Sequence, residues 1–500
     1  MAVDSFRAYL DRLADAGDLA EFEAGVSWDL EASAITMLAN QRDGPIPAFR
    51  SIAESETDAV LVGDPYRGSR ERPWDRIARS LGMASDLSGA DYYAAVIDRL
   101  SSPREPRVVD HPAAPCKEVV KTGGDVDLLS FPWPYIHQGD GGRYSNLQTL
   151  VAPAPDSEWG RWSSHRMMLH DETQASLLLL AGEQVPNLYY YQYERRDQPM
   201  PVAAVIGAEP AVEYSADMWI PSGRSEATFA GGLKEEPVDL VPCETSDLLV
   251  PASAELVIEG RVLPGERLDE GPFGDYFGYM NGPRRSMPTF EIDAITHRRA
   301  PRVPFCVEGS GVGYDRNSSS TLEVTAAGPD ATLGLRAAGF DVEFAVPWRF
   351  TSRTVWVIAT DCPYPGYLHE LANFIFTTWG MLHIDFFVFV DADVDPFDPR
   401  AVLTAFALEA DPDEDFHQFG VERMPKVPLN IYQTPDEKEG ADVGTSKAKT
   451  AKAYVDATTD GERIRRHADE ELRKRARAVL REAGVSGAEF GSDESRGETE

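Results

Sequence analysis

From about residue 107 to residue 304 the chain is built of short β-like runs punctuated by Gly and Pro, at 147–152, 176–180, 202–206 and 255–262, and the stretches on either side have a different texture. Such runs predict a sheet or barrel in the middle third. Beyond 305, apolar runs at 342–345, 354–359 and 386–390 alternate with a helical stretch at 367–379, which predicts a second α/β unit around a buried sheet. Ahead of the middle third, Phe6, Leu10, Leu13 and Ala14 recur at helical spacing, with Asp4 or Ser5 as cap and Gly17 as stop. The expected class is α+β. An α/β segment over 1–106 precedes the sheet-rich domain over 107–304, and an α/β domain follows over 305–425. Pro425, Pro428 and Pro435 mark a connector that leads into a charged terminal helix, together 426–484, and 485–500 is expected to be disordered. With 500 residues the chain can bury its cores without disulfide or metal staples.

Acidic side chains number 83 against 48 basic ones, a formal charge of -35. A surface that negative repels phosphate backbones and anionic headgroups, which argues against nucleic acid and membranes as partners. Only nine of the basic residues are lysines; GC-rich coding would explain scarce lysine but not the excess acid, so the balance reads as adaptation to high salt. No run approaches membrane-spanning length, and the first residues lack a basic stretch leading into an apolar one, so a cytoplasmic location is expected. Cys116, Cys243, Cys306 and Cys362 lie far apart without C-x-x-C spacing and read as ordinary reduced thiols.

The common nucleotide, zinc-protease and hydrolase signatures are missing. The string Gly309-Ser-Gly-Val-Gly313 has no convincing βαβ setting and reads equally as a connecting loop. Glu270-Gly-Pro-Phe-Gly-Asp275 is more informative: Gly271, Pro272 and Gly274 force a sharp turn that can aim both acids into one cleft. Paired acids in a dry cleft cannot both ionise cheaply, which would raise one pKa and leave a proton available for general acid work. Acids fill 83 of 500 positions, however, so the pair by itself carries no weight. Only the whole string in its setting does.

That setting comprises Arg161-Trp-Ser-Ser-His-Arg166, Ser225-Glu226, Cys243-Glu-Thr-Ser-Asp-Leu-Leu-Val-Pro251 and Glu259-Gly260. With residues 5–23, 270–278 and 391–398, it resembles the UbiD family, reversible decarboxylases that use prenylated FMN. The resemblance implies a split β-barrel flavin domain in the middle third and a carboxy-terminal domain that mediates association as a homodimer or larger homo-oligomer, with the tail helix packed on a partner and the site in the cleft between the two main domains. It implies a carboxylic acid and CO2 as reactants and a flavin prenyltransferase as supplier of the cofactor. It also implies Arg166, Glu270 and Asp275 as the catalytic group. The chemistry agrees: loss of CO2 from an acrylic or aromatic acid leaves electrons in an sp2 orbital that no side chain delocalises, so a cofactor must accept them. A guanidinium fork can engage a carboxylate ligand and Glu270 together, which lysine cannot.

For the cofactor, the resemblance implies contacts from Arg161, Trp162, Ser164, His165, Arg166, Gln184 and Glu226. Family members hold the flavin phosphate through Mn2+ or Mg2+ on an Asn, a His and a Glu; Glu226 fits the last, but the Asn position is Arg161 and the His position falls near Gln184, with no histidine between His170 and His297. Arg161 could bind the phosphate directly and make the divalent ion unnecessary. A K+ ion could persist near Trp162, Ser215, Ala216, Met218 and Glu226, whose ligands would be largely backbone carbonyls. Otherwise Asn146 or another oxygen completes a metal site and Arg161 is solvated.

His170, at a turn, is expected to be exposed, and Met167, Met168 and Tyr189 to Tyr191 read as core or pocket wall. Lys447 resembles a family segment near the site. The expected activity is prenyl-FMN-dependent, non-oxidative, reversible decarboxylation of an aromatic or α,β-unsaturated acid. The alternatives are a non-catalytic flavin-binding or assembly protein and, further off, a plain-FMN oxidoreductase.

Overall fold

In the computed structural model the opening helix runs Phe6–Asp15, capped by the Ser5 hydroxyl, which accepts the Ala8 N–H, and it buries Phe6, Tyr9, Leu10 and Leu13. Residues 2–459 are described, apart from 56, 158–159, 181–182, 221–222, 276, 280–283, 310–315, 352–353, 379–383 and 426–448, and so are 470–483. Two units divide the chain, Met1–Thr458 and Thr459–Glu500. In the second, the described element is the helix Glu470–Glu482; Lys447 and the segment 485–500 lie outside the described residues.

The amino-terminal sheet orders the strands Leu19–Phe22, Ile46–Phe49, Val60–Gly63 and Arg302–Phe305. The last strand pairs in parallel with Val60–Gly63, so the chain leaves this sheet, builds the middle third and returns to it. A separate five-stranded sheet follows, in the order Val342–Pro347, Val355–Thr360, Phe386–Val390, Lys449–Ala457 and Phe416–Pro425. Phe386–Val390 is paired on both edges, which explains its apolar sequence without an external partner. The helix Ser318–Ala337, capped by Asn317, connects the two sheets.

The middle third forms a nine-stranded sheet that positions the site. Its path runs Tyr144–Ser145, Met167–Leu169, Gln174–Leu177, Arg285–His297, Leu256–Glu270, Met200–Ile206, Thr149–Pro153 and Gly160–Ser164, with Val119–Thr122 added to Arg285–His297. Met200–Ile206 is buried on both faces: Ala203 and Val205 enter one core, Val202, Ala204 and Ile206 the other. Gly160–Ser164 ends the path, whereas Met167–Leu169 lies six strand spacings away, roughly 29 Å in a flat sheet. Only His165 and Arg166 separate them in sequence, a link of at most ~11 Å. The sheet must therefore curl, as a half-barrel, until the two regions meet. Register shifts between Glu259 and Gly260 and between Val262 and Arg267 supply bends in its longest strand. Arg166 lies in the seam so formed.

Two of the motifs that carried the family resemblance are architectural. Glu259 Oε2 accepts the N–H groups of Glu244 and Thr245 at 2.7 and 3.0 Å, and its Oε1 accepts Lys117 Nζ at 3.1 Å, which ties 243–251 to the curled sheet.

Candidate active site

Arg166 crosses the seam with its backbone fixed, its carbonyl accepting the Leu178 N–H at 3.1 Å. Its side chain meets the two acids of the 270–275 turn. Nε and Nη2 donate to Glu270 Oε1 and Oε2 at 2.9 and 3.2 Å, and Nη1 donates to Asp275 Oδ2 at 2.5 Å. Glu270 and Asp275 are both buried. Three residues remote in sequence thus converge, with the Arg166 guanidinium bonded to both carboxylates. Burial works against the charge on Arg166, yet Glu270 and Asp275 outweigh it and hold its pKa above the ordinary value. The guanidinium also lies over the Phe273 ring, 4.4 Å from the centroid.

Tyr144, which sequence reasoning missed, donates to Glu270 Oε1 at 3.3 Å and packs on Phe273 with centroids 4.5 Å apart. Burial first, and then the Glu270 charge, raise its phenol pKa, so it remains a donor. Also missed were His137 and Asp140, which brace the turn from behind. Asp140 Oδ1 accepts the Gly274 N–H at 2.8 Å, its Oδ2 accepts His137 Nδ1 at 3.1 Å, and His137 Nε2 lies 2.7 Å from the Glu308 carbonyl. Gly141 donates to the Pro272 carbonyl at 2.7 Å from so near that a Cβ would strike Gly271. The sequence signal for this brace is the run of turn-forming residues 138–142 ahead of Tyr144. The described contacts of the catalytic trio come from the curled sheet and its loops. His170 is half-buried rather than exposed, with Nε2 2.9 Å from the Asp269 carbonyl beside Glu270. Tyr189 and Tyr190 are buried, and Tyr190 donates to the Leu179 carbonyl at 3.0 Å.

The residues expected around the cofactor gather about Gly160–Ser164. Arg161 Nη1 lies 2.5 Å from Glu226 Oε1 and donates to the Ile220 carbonyl at 2.5 Å, while Nη2 donates to the Met218 carbonyl at 3.4 Å. The Trp162 N–H reaches Glu226 Oε2 at 3.1 Å, and Gln184 Nε2 donates to Ile220 at 3.0 Å. Ser215 and Ala216 close the helix Pro210–Ala216 just before Met218. Ser164 is exposed at the strand end, and His165 is buried with Nδ1 3.2 Å from the Leu178 carbonyl. Burial lowers the His165 pKa, so the ring is neutral, with Nδ1–H donating and Nε2 left as acceptor. Burial also pushes the Glu226 carboxyl up to about 7, against the pull of Arg161. The Arg161 guanidinium keeps its charge.

Arg161 Nε, His165 Nε2 and Gln184 Oε1 are buried without a hydrogen-bond partner. Buried polar atoms are normally satisfied, so these orphans, two on the 160–165 run and one on Gln184, which shares the Ile220 carbonyl with Arg161, fit a bound polar molecule such as a flavin mononucleotide. A divalent ion does not fit. Glu226 is ion-paired to Arg161, and Met218 accepts from the same guanidinium. Asn146 is spent on Cys306, donating to its carbonyl at 2.7 Å and accepting its N–H at 3.1 Å. Arg161 is accordingly buried, not solvated.

The family descriptions 3-octaprenyl-4-hydroxybenzoate carboxy-lyase N-terminal domain, Rift-related domain and C-terminal domain match residues 10–96, 107–311 and 330–457. Pyrrole-2-carboxylic acid decarboxylase of Pseudomonas aeruginosa is 31% identical over 438 residues, 85% of this chain and 86% of the relative. Ferulic acid decarboxylase 1 of Saccharomyces cerevisiae is 26% identical over 442 residues, with the same coverage of 85% and 86%. Among solved structures, the vanillic acid decarboxylase of Sedimentibacter hydroxybenzoicus in closed form superposes with a TM-score of 0.86 at 25% identity, covering 96% of this chain and 99% of that one. An evolved dimeric form of the UbiD-class enzyme HmfF from Pelotomaculum thermopropionicum, in complex with prFMN, gives 0.75 at 25% identity, covering 94% and 98%.

Proposed function

The chain belongs to the UbiD family of carboxy-lyases, and from that premise we propose that it catalyses non-oxidative, reversible decarboxylation of an aromatic or α,β-unsaturated carboxylic acid with prenylated FMN as cofactor. The observation that carries this reading is Arg166 held between Glu270 and Asp275. When bound, the prenylated flavin supplies the electron sink that the reaction demands. Arg161, Trp162, Ser164, His165, Gln184 and Glu226 line the segment that would hold it, on a sheet read as half of a split β-barrel.

The residues of the chain do the rest. Arg166 attracts the substrate carboxylate and, fixed by Glu270 on its Nε edge, presents it in one orientation. CO2, being neutral, is no longer held by the guanidinium charge and can leave. Asp275, 2.5 Å from Nη1 and ionised in that pair, is placed to take up a proton from solvent and pass it to the carbon that the carboxylate leaves, returning to its charged state beside Arg166, and Tyr144 keeps a hydrogen on Glu270 Oε1 whichever way protons move. The carboxylation direction runs through the same groups. An assembly protein would have no use for this trio, which weighs against the non-catalytic alternative.

The same reading includes a flavin prenyltransferase as cofactor supplier, a homodimeric or larger assembly, and a cytoplasm whose salt suits a charge of -35. Production together with a flavin prenyltransferase should yield a prenyl-FMN absorption spectrum and exchange of labelled CO2 into a suitable acid. Cofactor uptake with no exchange across a broad panel of acids would sink the proposal.

A further inference from the structure

One carboxylate and two backbone carbonyls, from Glu226, Met218 and Ile220, converge at the start of the helix Glu226–Lys234, and the group they surround is the Arg161 guanidinium. Oxygens of this kind are what a hard metal cation collects. Here the cation belongs to the chain. The oxygens are held independently of it: Asp330 Oδ2 accepts the Trp219 N–H at 2.9 Å, between the two carbonyls, and the Trp162 N–H fixes Glu226 Oε2 at 3.1 Å.

Arg161 is 4% exposed, and its Nε–H has no acceptor. A buried donor left unmade is costly, so the site is incomplete as it stands. What completes it must bring an acceptor. Arg166 lies five residues along the same extended segment, ~16 Å of chain. An elongated molecule with its phosphate at Arg161 therefore reaches the catalytic trio with its other end, passing the open Nε2 of His165 and Oε1 of Gln184.

We propose that Arg161 is the resident cation of the phosphate subsite: it fills the oxygen cage, offers Nε–H to a phosphate oxygen, and takes the ligands that a K+ or divalent ion would need, so that flavin mononucleotide binds without metal. The inference rests on the flavin reading above but fails separately from it. A K+ ion at this position would compete with Arg161 for Met218 and Glu226, which the guanidinium contacts.

The test uses the full chain loaded with FMN, then desalted into EDTA with Na+ as the only metal cation. Retention of FMN with sub-stoichiometric Mn, Mg and K by elemental analysis is expected, with affinity unchanged on adding Mn2+ or K+. In Arg161→Met, FMN affinity should fall at least about 30-fold while riboflavin, which lacks the phosphate, binds as before. FMN uptake that appears only with Mn2+, Mg2+ or K+, or a variant that loses riboflavin as severely as FMN, would overturn the proposal. Should the variant fail to fold, the metal dependence of the unaltered chain decides alone. No uptake under any metal condition would remove the flavin reading itself, and this proposal with it.

Discussion

Asp140 Oδ1 lies 2.8 Å from the backbone nitrogen of Gly274, and that one contact ties the start of the curled sheet to the turn carrying both catalytic acids. Because Asp140 is buried, an apolar replacement leaves the Gly274 N–H and two His137 nitrogens, the backbone N–H and ring Nδ1, without this acceptor. Asp140→Ala should lower stability by about 1–3 kcal/mol in denaturant unfolding and reduce kcat more than it raises KM, since the turn is displaced while the carboxylate-binding fork remains. An unchanged kcat in a stably folded variant would show that the brace does not set the geometry of Asp275.

His137 gives this brace a pH dependence. Both of its ring nitrogens face acceptors, Asp140 Oδ2 and the Glu308 carbonyl, and only the imidazolium can donate to both. Burial opposes the charge, but the Asp140 hydrogen bond and charge and the Glu308 carbonyl outweigh it, so the folded pKa is raised. A raised pKa means that the contribution is fully present below the unfolded value of about 6.5 and is lost as pH climbs through the folded value. The melting temperature of the unaltered chain should exceed that of His137→Gln most at acidic pH, with a gap that narrows toward alkaline pH. A gap that stays constant would mean that the ring is neutral throughout.

Arg166 makes three donations in two directions, a geometry that only a guanidinium provides. Arg166→Lys should therefore lose activity by about 10²-fold or more despite keeping its charge, and Glu270→Gln should lose about 10²–10⁴-fold. Flavin content, read by absorbance, should change much less than turnover in both. If Arg166→Lys kept near-normal turnover, the fork would not be the orienting element.

How far the sequence revealed all this depended on where each group's partner lay. Arg166, Glu270 and Asp275 were legible because they sit inside strings whose residue types are tied to one chemistry, and Met200–Ile206 because burial on both faces leaves an uninterrupted apolar run. His137 and Asp140 were not, since their meaning comes from Gly274 and Glu308, more than 130 residues away. Asp330 is likewise an acid in the middle of a helix whose partner, the Trp219 N–H, is backbone and leaves no mark on composition. The acid pair by itself did not reveal the cation it shares, because Arg166 lies more than 100 residues upstream, although buried carboxylates are far more stable beside a cation than alone.

Gly309, at the start of the glycine string 309–313 that carried little weight as sequence, packs against the Asp275 carbonyl. Gly309 has φ +53°, and a Cβ there would run into the Asp275 carbonyl, with Gly278 N at 2.7 Å. Gly123 has φ +57° with open space around it, so it is a control for the backbone cost alone. Each glycine-to-alanine change pays about 1–2 kcal/mol for a left-handed conformation. Gly123→Ala should lose that much stability and keep its turnover. Gly309→Ala cannot relieve its contact without moving the Asp275 turn, so it should lose more stability and at least about tenfold in kcat, a shift of only 1.4 kcal/mol in the barrier. Denaturant melts and steady-state rates on the two variants measure this directly. Equal effects on turnover would mean that the backbone of Asp275 can shift freely without disturbing the proton it is positioned to deliver.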